Sequence, residues 1–198
     1  MSATVDRHQQ KLESVCLRAR AAHPDRRIVC GQGSPSARLV IVGEAPGREE
    51  ELAGRPFVGA AGRLLNELLT EAGIRRGDVW ISNVVKLRPT ISSAGTVRNR
   101  PPTAAEIREY LPILGEELEV LRPQLILSLG NVASNVLISK VFKMTRDRGR
   151  FFPGPYGSRV MATYHPAYLL RLQGQAREEV LEQVREDLRT LARAYAAL

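Results

Sequence analysis

Apolar positions along this chain recur at two different spacings, and the changes between them mark out its elements. Residues 4 to 22 set apolar side chains among charged ones at helical spacing, which predicts a helix ending near His23-Pro24. After the turn-rich stretch from Cys30 to Ser36, the run Ala37-Arg-Leu-Val-Ile-Val42 reads as a buried strand, and Gly43-Glu-Ala-Pro-Gly47 as the loop at its carboxyl end. Arg63 to Ala72 returns to helical spacing and stops at Gly73, and Val79 to Val85 predicts a second strand. Residues 86 to 102 hold Pro, Ser, Gly, Thr and Arg without periodicity and read as a long loop. Thr103-Ala-Ala-Glu106 is a capping box that starts a helix running to about Leu121. Gln124 to Leu129 predicts a third strand, Gly130-Asn131 opens a helix through about Ile138, and Arg159 to Tyr164 predicts a fourth strand ending at His165-Pro-Ala167. The basic, Gly- and Pro-rich segment 141–158 reads as a loop with short strands, and a polar, amphipathic helix follows from about Ala176 to Ala196.

Strands that alternate with helices pair in parallel through crossover connections. The pattern predicts an α/β fold: three α/β/α layers around a central, mostly parallel four-stranded sheet. It reads as one domain over 1–198, with an N-terminal helical segment 1–29 and a C-terminal helix within 172–198. In such sheets ligands bind beyond the carboxyl ends of the strands. Three of the four strands run directly into unusual polar or Gly/Pro loops, at 43–47, 83–102 and 165–167, so a single pocket on that edge is expected.

Composition narrows the partner. Lys and Arg total 29 against 21 Asp and Glu, a net charge of +8, which suits a polyanion because basic groups near phosphates release condensed counterions. No apolar run approaches the roughly 20 residues of a membrane span, and the polar N-terminus lacks the apolar stretch of a signal peptide. A cytoplasmic protein with no membrane partner is therefore expected. The two cysteines, Cys16 and Cys30, are too few for a four-ligand zinc or iron–sulfur site; they could form a disulfide, but in an intracellular chain free thiols are the default.

Four positions carry candidate chemistry. Glu44, in the Gly43–Gly47 turn whose backbone amides can approach a ligand, either acts on a reacting centre or is a solvated turn residue. Phe57, between glycines in Gly54-Arg-Pro-Phe-Val-Gly59, either stacks on a planar base or is core. Asn83 ends a strand of Val and Ile where Asn is unfavourable; its amide either reads a pyrimidine edge or bonds a neighbouring loop. His165 is the one histidine that follows a core strand, and either stabilises an anionic leaving group or serves as a cap. Basic residues at Arg98–Arg100 and Lys143–Arg150 are either phosphate contacts or solvated surface.

Taken in order, Gly43-Glu-Ala-Pro-Gly47, Gly54-Arg-Pro-Phe-Val-Gly-x-Ala-Gly-x-Leu-Leu65, Ser82-Asn-Val-Val-Lys86, Arg88-Pro89, Pro102-Thr103 and Thr163-Tyr-His-Pro-Ala-Tyr-Leu-Leu-Arg171 resemble the uracil-DNA glycosylase superfamily, and most of all its family four, the bacterial and archaeal thermostable type. The match runs over roughly residues 30 to 171. The resemblance implies an enzyme that flips uracil out of single- or double-stranded DNA and hydrolyses its glycosidic bond, starting base excision repair. It implies Glu44 and His165 as catalytic residues, and Gly43, Ala45, Phe57 and Asn83 as the uracil pocket. Tyr168, Leu169 and Arg171 resemble the segment that fills the space left by the flipped base, with Arg98 and Arg100 as further DNA contacts. A monomer is expected.

The family's four cysteines, which bind a [4Fe–4S] cluster, are not reproduced. Cys16 matches the first pair at most, Leu87 and Tyr110 stand at the third and fourth positions, and Cys30 lies at a non-ligand position. The expectation is no cofactor, with Leu87 and Tyr110 packing in the cluster's place. A related group traps the abasic sugar on a loop histidine; the 87–102 loop has none, so turnover is expected. The rival readings are excision of hypoxanthine or mismatched thymine, a non-catalytic nucleic-acid binder of the same fold, and a nucleotide-binding protein that uses Gly43–Gly47 for phosphate. That last reading lacks both the P-loop ending and a GxGxxG turn.

Overall fold

A computed structural model describes residues 3–93 and 95–198. Its elements in chain order are α1 (Ala3–Ala22), β1 (Gln32–Gly33), β2 (Leu39–Gly43), α2 (Arg48–Ala53), α3 (Ala60–Glu71), β3 (Trp80–Asn83), β4 (Thr90–Ser93), β5 (Thr96–Asn99), α4 (Ala104–Leu121), β6 (Leu125–Leu129), α5 (Gly130–Leu137), α6 (Met144–Asp147), β7 (Phe151–Pro153), β8 (Arg159–Thr163), α7 (Pro166–Leu169) and α8 (Gly174–Ala196).

The apolar runs form the middle of the sheet, in the order β1-β3-β2-β6-β8-β7. The pairs β3–β2, β2–β6 and β6–β8 are parallel. β2 and β6 are buried at every residue, as strands covered on both faces must be. Alternate residues serve opposite layers. Leu39, Ile41, Ile81, Leu127 and Met161 pack with Leu65 and Leu69 of α3 and Leu188 of α8. Val40, Val42, Ile126 and Val160 pack on the other side, with Leu12 of α1 and Leu114 and Leu118 of α4. This is the expected three-layer arrangement.

The sheet has six strands rather than four. The four predicted strands are the parallel ones; β1 and β7 add antiparallel edges. They hold two and three residues, too few to leave a periodic signal. The loop predicted over 86–102 contains a two-stranded antiparallel hairpin, β4–β5, apart from the main sheet. Ala94, within that predicted loop, and Met1 and Ser2 of the N-terminal segment lie outside the described residues. His165–Ala167 leads into the single turn of α7 rather than remaining a loop. No helix among the described residues is long and apolar enough to cross a membrane.

Candidate active site

The carboxyl ends of all four parallel strands open into one cleft of about 880 Å³. It is lined by Glu44 after β2, Asn83 at the end of β3, Gly130 after β6 and His165 after β8, by the root of the hairpin, and by Phe57, which is 5% exposed and also belongs to the core layer of Leu39 and Leu65. β2 leads to β3 on one side and the chain then crosses to β6 on the other, so the cleft lies where the strand order reverses.

Phe57 is held in a left-handed backbone conformation, φ 53°, which costs a non-glycine residue about 1–3 kcal/mol and persists only where its surroundings enforce it. The enforcing groups are visible. Arg76 donates to the Pro56 carbonyl at 2.9 Å, while the Glu50 carboxylate accepts from Val58 N–H at 3.0 Å and Gly59 N–H at 2.8 Å. The other Glu50 oxygen accepts from Gly47 N–H at 3.1 Å, joining this loop to the one that carries Glu44. Glu50 and Arg76 were not expected from sequence, where Glu50 is one of several acids in Arg48-Glu-Glu-Glu51. Gly62 leaves room for the Phe57 backbone, which a Cβ there would strike.

Gly43 lies between Asn83 and Phe57. A Cβ at Gly43 would come within 2.5 Å of both Asn83 Oδ1 and Phe57 Cζ. Asn83 is 2% exposed and its Oδ1 has no hydrogen-bond partner. The other such buried side-chain atom among the described residues, Trp80 Nε1, is at the opposite end of β3. A buried amide oxygen without a partner costs roughly 1–3 kcal/mol, which a donor entering the cleft would offset. Among the described residues this oxygen makes no bond to a neighbouring loop.

The His165 ring centroid is 5.7 Å from that of Phe57. Its Nδ1 accepts from Ala167 N–H at 3.1 Å, so in the neutral ring Nε2 carries the proton. Burial, with Arg171 nearby, lowers its pKa to about 4. At neutral pH His165 is therefore an uncharged donor. Burial also raises the Glu44 pKa above the usual carboxylate value, opposed by Arg171. Two titratable groups thus face one cleft, each shifted mainly by desolvation, a pattern that marks functional sites. Ala45 lines the cleft beside Glu44.

The rim departs from expectation in places. Tyr168 is 39% exposed and stacks on Tyr164, and Arg171 borders the cleft. Leu169, expected to meet DNA, is fully buried in the core; Leu170 is the exposed leucine, at 46%. Within the single turn of α7, Pro166 and Leu169 are three residues apart and share its buried face, which turns Leu170 outward. That spacing is present in the sequence and could have shown Leu169 as the buried leucine of the pair and Leu170 as the exposed one. Arg98 is exposed on the hairpin, whereas Arg100 is tied by two 2.7 Å bonds to the Glu106 carboxylate. In the basic segment 143–150, Arg146 pairs with Asp147 and Arg148 with Asp187, leaving Lys143 and Arg150 exposed and outside those pairs.

The residues at the cluster positions do not fit a four-thiolate group. The chain's two cysteines are joined as Cys16–Cys30, rather than being free thiols. Tyr110 is fully buried, accepts from Arg26 at 3.2 Å and lies 5.0 Å from the His23 ring. Leu87, Cys16 and Tyr110 belong to one apolar cluster. A tyrosine ring occupies space where the resemblance would need a sulfur ligand.

A protein-family model, the uracil DNA glycosylase superfamily, matches residues 30–189. The type-4 uracil-DNA glycosylase of Thermotoga maritima is 43% identical over 159 residues, 79% of each chain. That of Pyrobaculum aerophilum is 38% identical over 165 residues, 78% of this chain and 81% of the relative. A type-5 uracil-DNA glycosylase of Thermus thermophilus is 29% identical over 186 residues, 84% and 81% of the two chains. With a family model spanning most of its length and a strand-end cleft of this construction, the chain belongs to the uracil-DNA glycosylase superfamily.

Proposed function

We propose that this protein is a monofunctional uracil-DNA glycosylase that takes uracil from flipped-out nucleotides and so starts base excision repair. The observation that carries the reading is the buried, unpartnered Asn83 Oδ1 beside Phe57. The ring N–H of uracil is a donor of the kind this oxygen lacks, and the amide nitrogen would reach the adjacent carbonyl. Cytosine presents an acceptor and an amino group at that edge, the reverse pattern. Phe57 supplies a stacking face, a contact that contributes roughly 1–3 kcal/mol per base.

A stacked base hides its glycosidic bond, so flipping must precede cleavage, at a cost of a few kcal/mol. Tyr168, Leu170 and Arg171 stand at the mouth of the cleft and would fill the vacated position. Arg98 on the hairpin and Lys143 and Arg150 would meet phosphates. The bond between the sugar C1′ and uracil N1 breaks as positive charge grows on the sugar and negative charge on the base. His165 Nε2–H donates to the uracil carbonyl that takes the negative charge. Ionised Glu44 opposes the sugar's positive charge and orients the water that adds to C1′; a proton from that water ends on the uracil. Each step uses groups of this chain, and we propose that it proceeds without an iron–sulfur cluster.

The test is excision from oligonucleotides carrying one uracil opposite G, opposite A or unpaired, beside hypoxanthine and G·T controls. Alkali-labile sites at uracil with turnover, and none at the controls, are the expected result. Cleavage of hypoxanthine or thymine instead would move the specificity, and DNA binding without cleavage of any base would make the protein a non-catalytic binder.

A further inference from the structure

Beneath the cleft lies a charged pair that the proposed chemistry does not use. Lys86 is fully buried and Glu117 is 2% exposed. Lys86 Nζ donates to Glu117 Oε2 at 2.7 Å, to Ser82 Oγ at 2.6 Å and to the Asn83 backbone carbonyl at 2.9 Å. Three acceptors around one nitrogen match the three protons of an ammonium. Ser82 Oγ–H donates to Glu117 Oε2 at 2.7 Å, and Glu117 Oε1 accepts from Gly31 N–H at 2.9 Å. The network ties the end of β3, the turn after it, α4 and the segment before β1 to one another.

Asn83 Oδ1 has no protein partner among the described residues, so no hydrogen bond to that oxygen aims the amide, and its aim depends on its own main chain and the packing around it. On one side that main chain pairs with Gly43 of β2. On the other, the only side chain bonded to its carbonyl among the described residues is Lys86. The turn that Lys86 anchors also holds the loop of Glu44: Val84 and Val85 N–H donate to the Gly43 and Glu44 carbonyls, both at 3.0 Å. A buried ion pair is a poor device for stability, because desolvating two charges offsets most of their attraction and an apolar pair of similar volume often serves as well.

We infer that Lys86 and Glu117 are positioning residues whose task is to fix the Asn83 main chain, and with it the aim of the base-reading amide. The inference rests on the uracil reading proposed above, but it fails separately.

The experiment is a double-mutant cycle on single-turnover uracil excision. Lys86→Met with Glu117→Leu removes both charges together, so no lone charge is left buried to unfold the protein, and Glu117→Gln alone keeps a polar partner for Lys86. Both are compared with wild type and with Asn83→Ala, and melting temperatures are recorded alongside. Misplacing a reacting group costs up to roughly 100-fold in rate. The expected result is a rate loss of about tenfold or more in the Lys86→Met/Glu117→Leu protein without a matching fall in melting temperature, and a smaller loss in Glu117→Gln. In the Asn83→Ala background the same changes should have little further effect, because their route to the substrate is already gone. An undiminished rate in the double variant, or a loss that multiplies in full with Asn83→Ala, would overturn the inference while leaving the uracil reading intact. A wild type that does not excise uracil would remove both.

Discussion

At the scale of single residues, the cleft holds two groups whose titrations separate. In the proposed mechanism Glu44 is ionised to oppose the sugar cation, and burial holds its pKa above the ordinary carboxylate value. The same mechanism needs His165 neutral, and it becomes charged only at about pH 4. As pH falls from neutral, Glu44 is therefore the first to change state. The single-turnover rate should fall along one acid limb that lies above the ordinary glutamate range, and Glu44→Gln should lower the rate and remove the limb. A limb that persists in Glu44→Gln would assign it to another group. The same His165 shift bears on stability. Its folded value of about 4 lies below the ordinary 6.5, so the unfolded chain binds the proton first. This contribution to stability is complete above about pH 6.5 and is lost as pH falls toward 4. At this scale the sequence singled out residues that the structure brings to the cleft because they are unusual in their places: one histidine after a core strand, and one asparagine among Val and Ile. Arg76 escaped notice because it bonds a carbonyl 20 residues away, and Glu50 because, beyond its local cap on Gly47, its bonds to the Val58 and Gly59 N–H groups join two loops, which no helix or strand spacing records.

At the scale of elements, α7 and the hairpin carry separable predictions. Leu169→Ala empties a fully buried site and should cost roughly 2–5 kcal/mol of stability, read by denaturant unfolding. Leu170→Ala should leave stability unchanged and lower excision from duplex more than from single-stranded DNA, since only the duplex leaves a gap to fill. Equal losses on both substrates would show that Leu170 is no wedge. Arg98 stands exposed on β5, outside the ion pairs that occupy Arg88 and Arg100. Arg98→Ala should weaken DNA binding evenly across sequences and reduce the slope of log affinity against log salt by about 1. An unchanged slope would remove it from the interface. The hairpin was legible in part: Thr90-Ile91 and Thr96-Val97 flank Gly95, β-branched residues on both sides of a turn residue. The surrounding prolines and arginines hid that signal. The long central strands and the capped α4 were plain because a continuous apolar run and a Thr–Glu box each have one structural meaning.

At the scale of the whole molecule, apolar layers cover both faces of the sheet, and four strand ends bring residues distant in sequence to one cleft. The parallel order could be argued from alternation alone. The edge strands and the Cys16–Cys30 pairing could not, because they depend on which surfaces meet in three dimensions. The cluster positions also belong to this scale. With Tyr110 buried where a ligand would stand and both cysteines joined, the purified protein should carry no stoichiometric iron and no brown absorbance, and should excise uracil in that state. Iron that copurifies in proportion to activity would contradict the account. The proposed reading of uracil by Asn83 is tested by single-turnover excision from a uracil oligonucleotide by wild type and Asn83→Ala at equal, folded concentrations. Efficient cleavage by the wild type and a loss on the order of 100-fold or more in the variant are expected, because removing a group that pairs with the substrate leaves the substrate's polar edge unmatched. Equal rates in the two proteins, or no cleavage by the wild type, would contradict it.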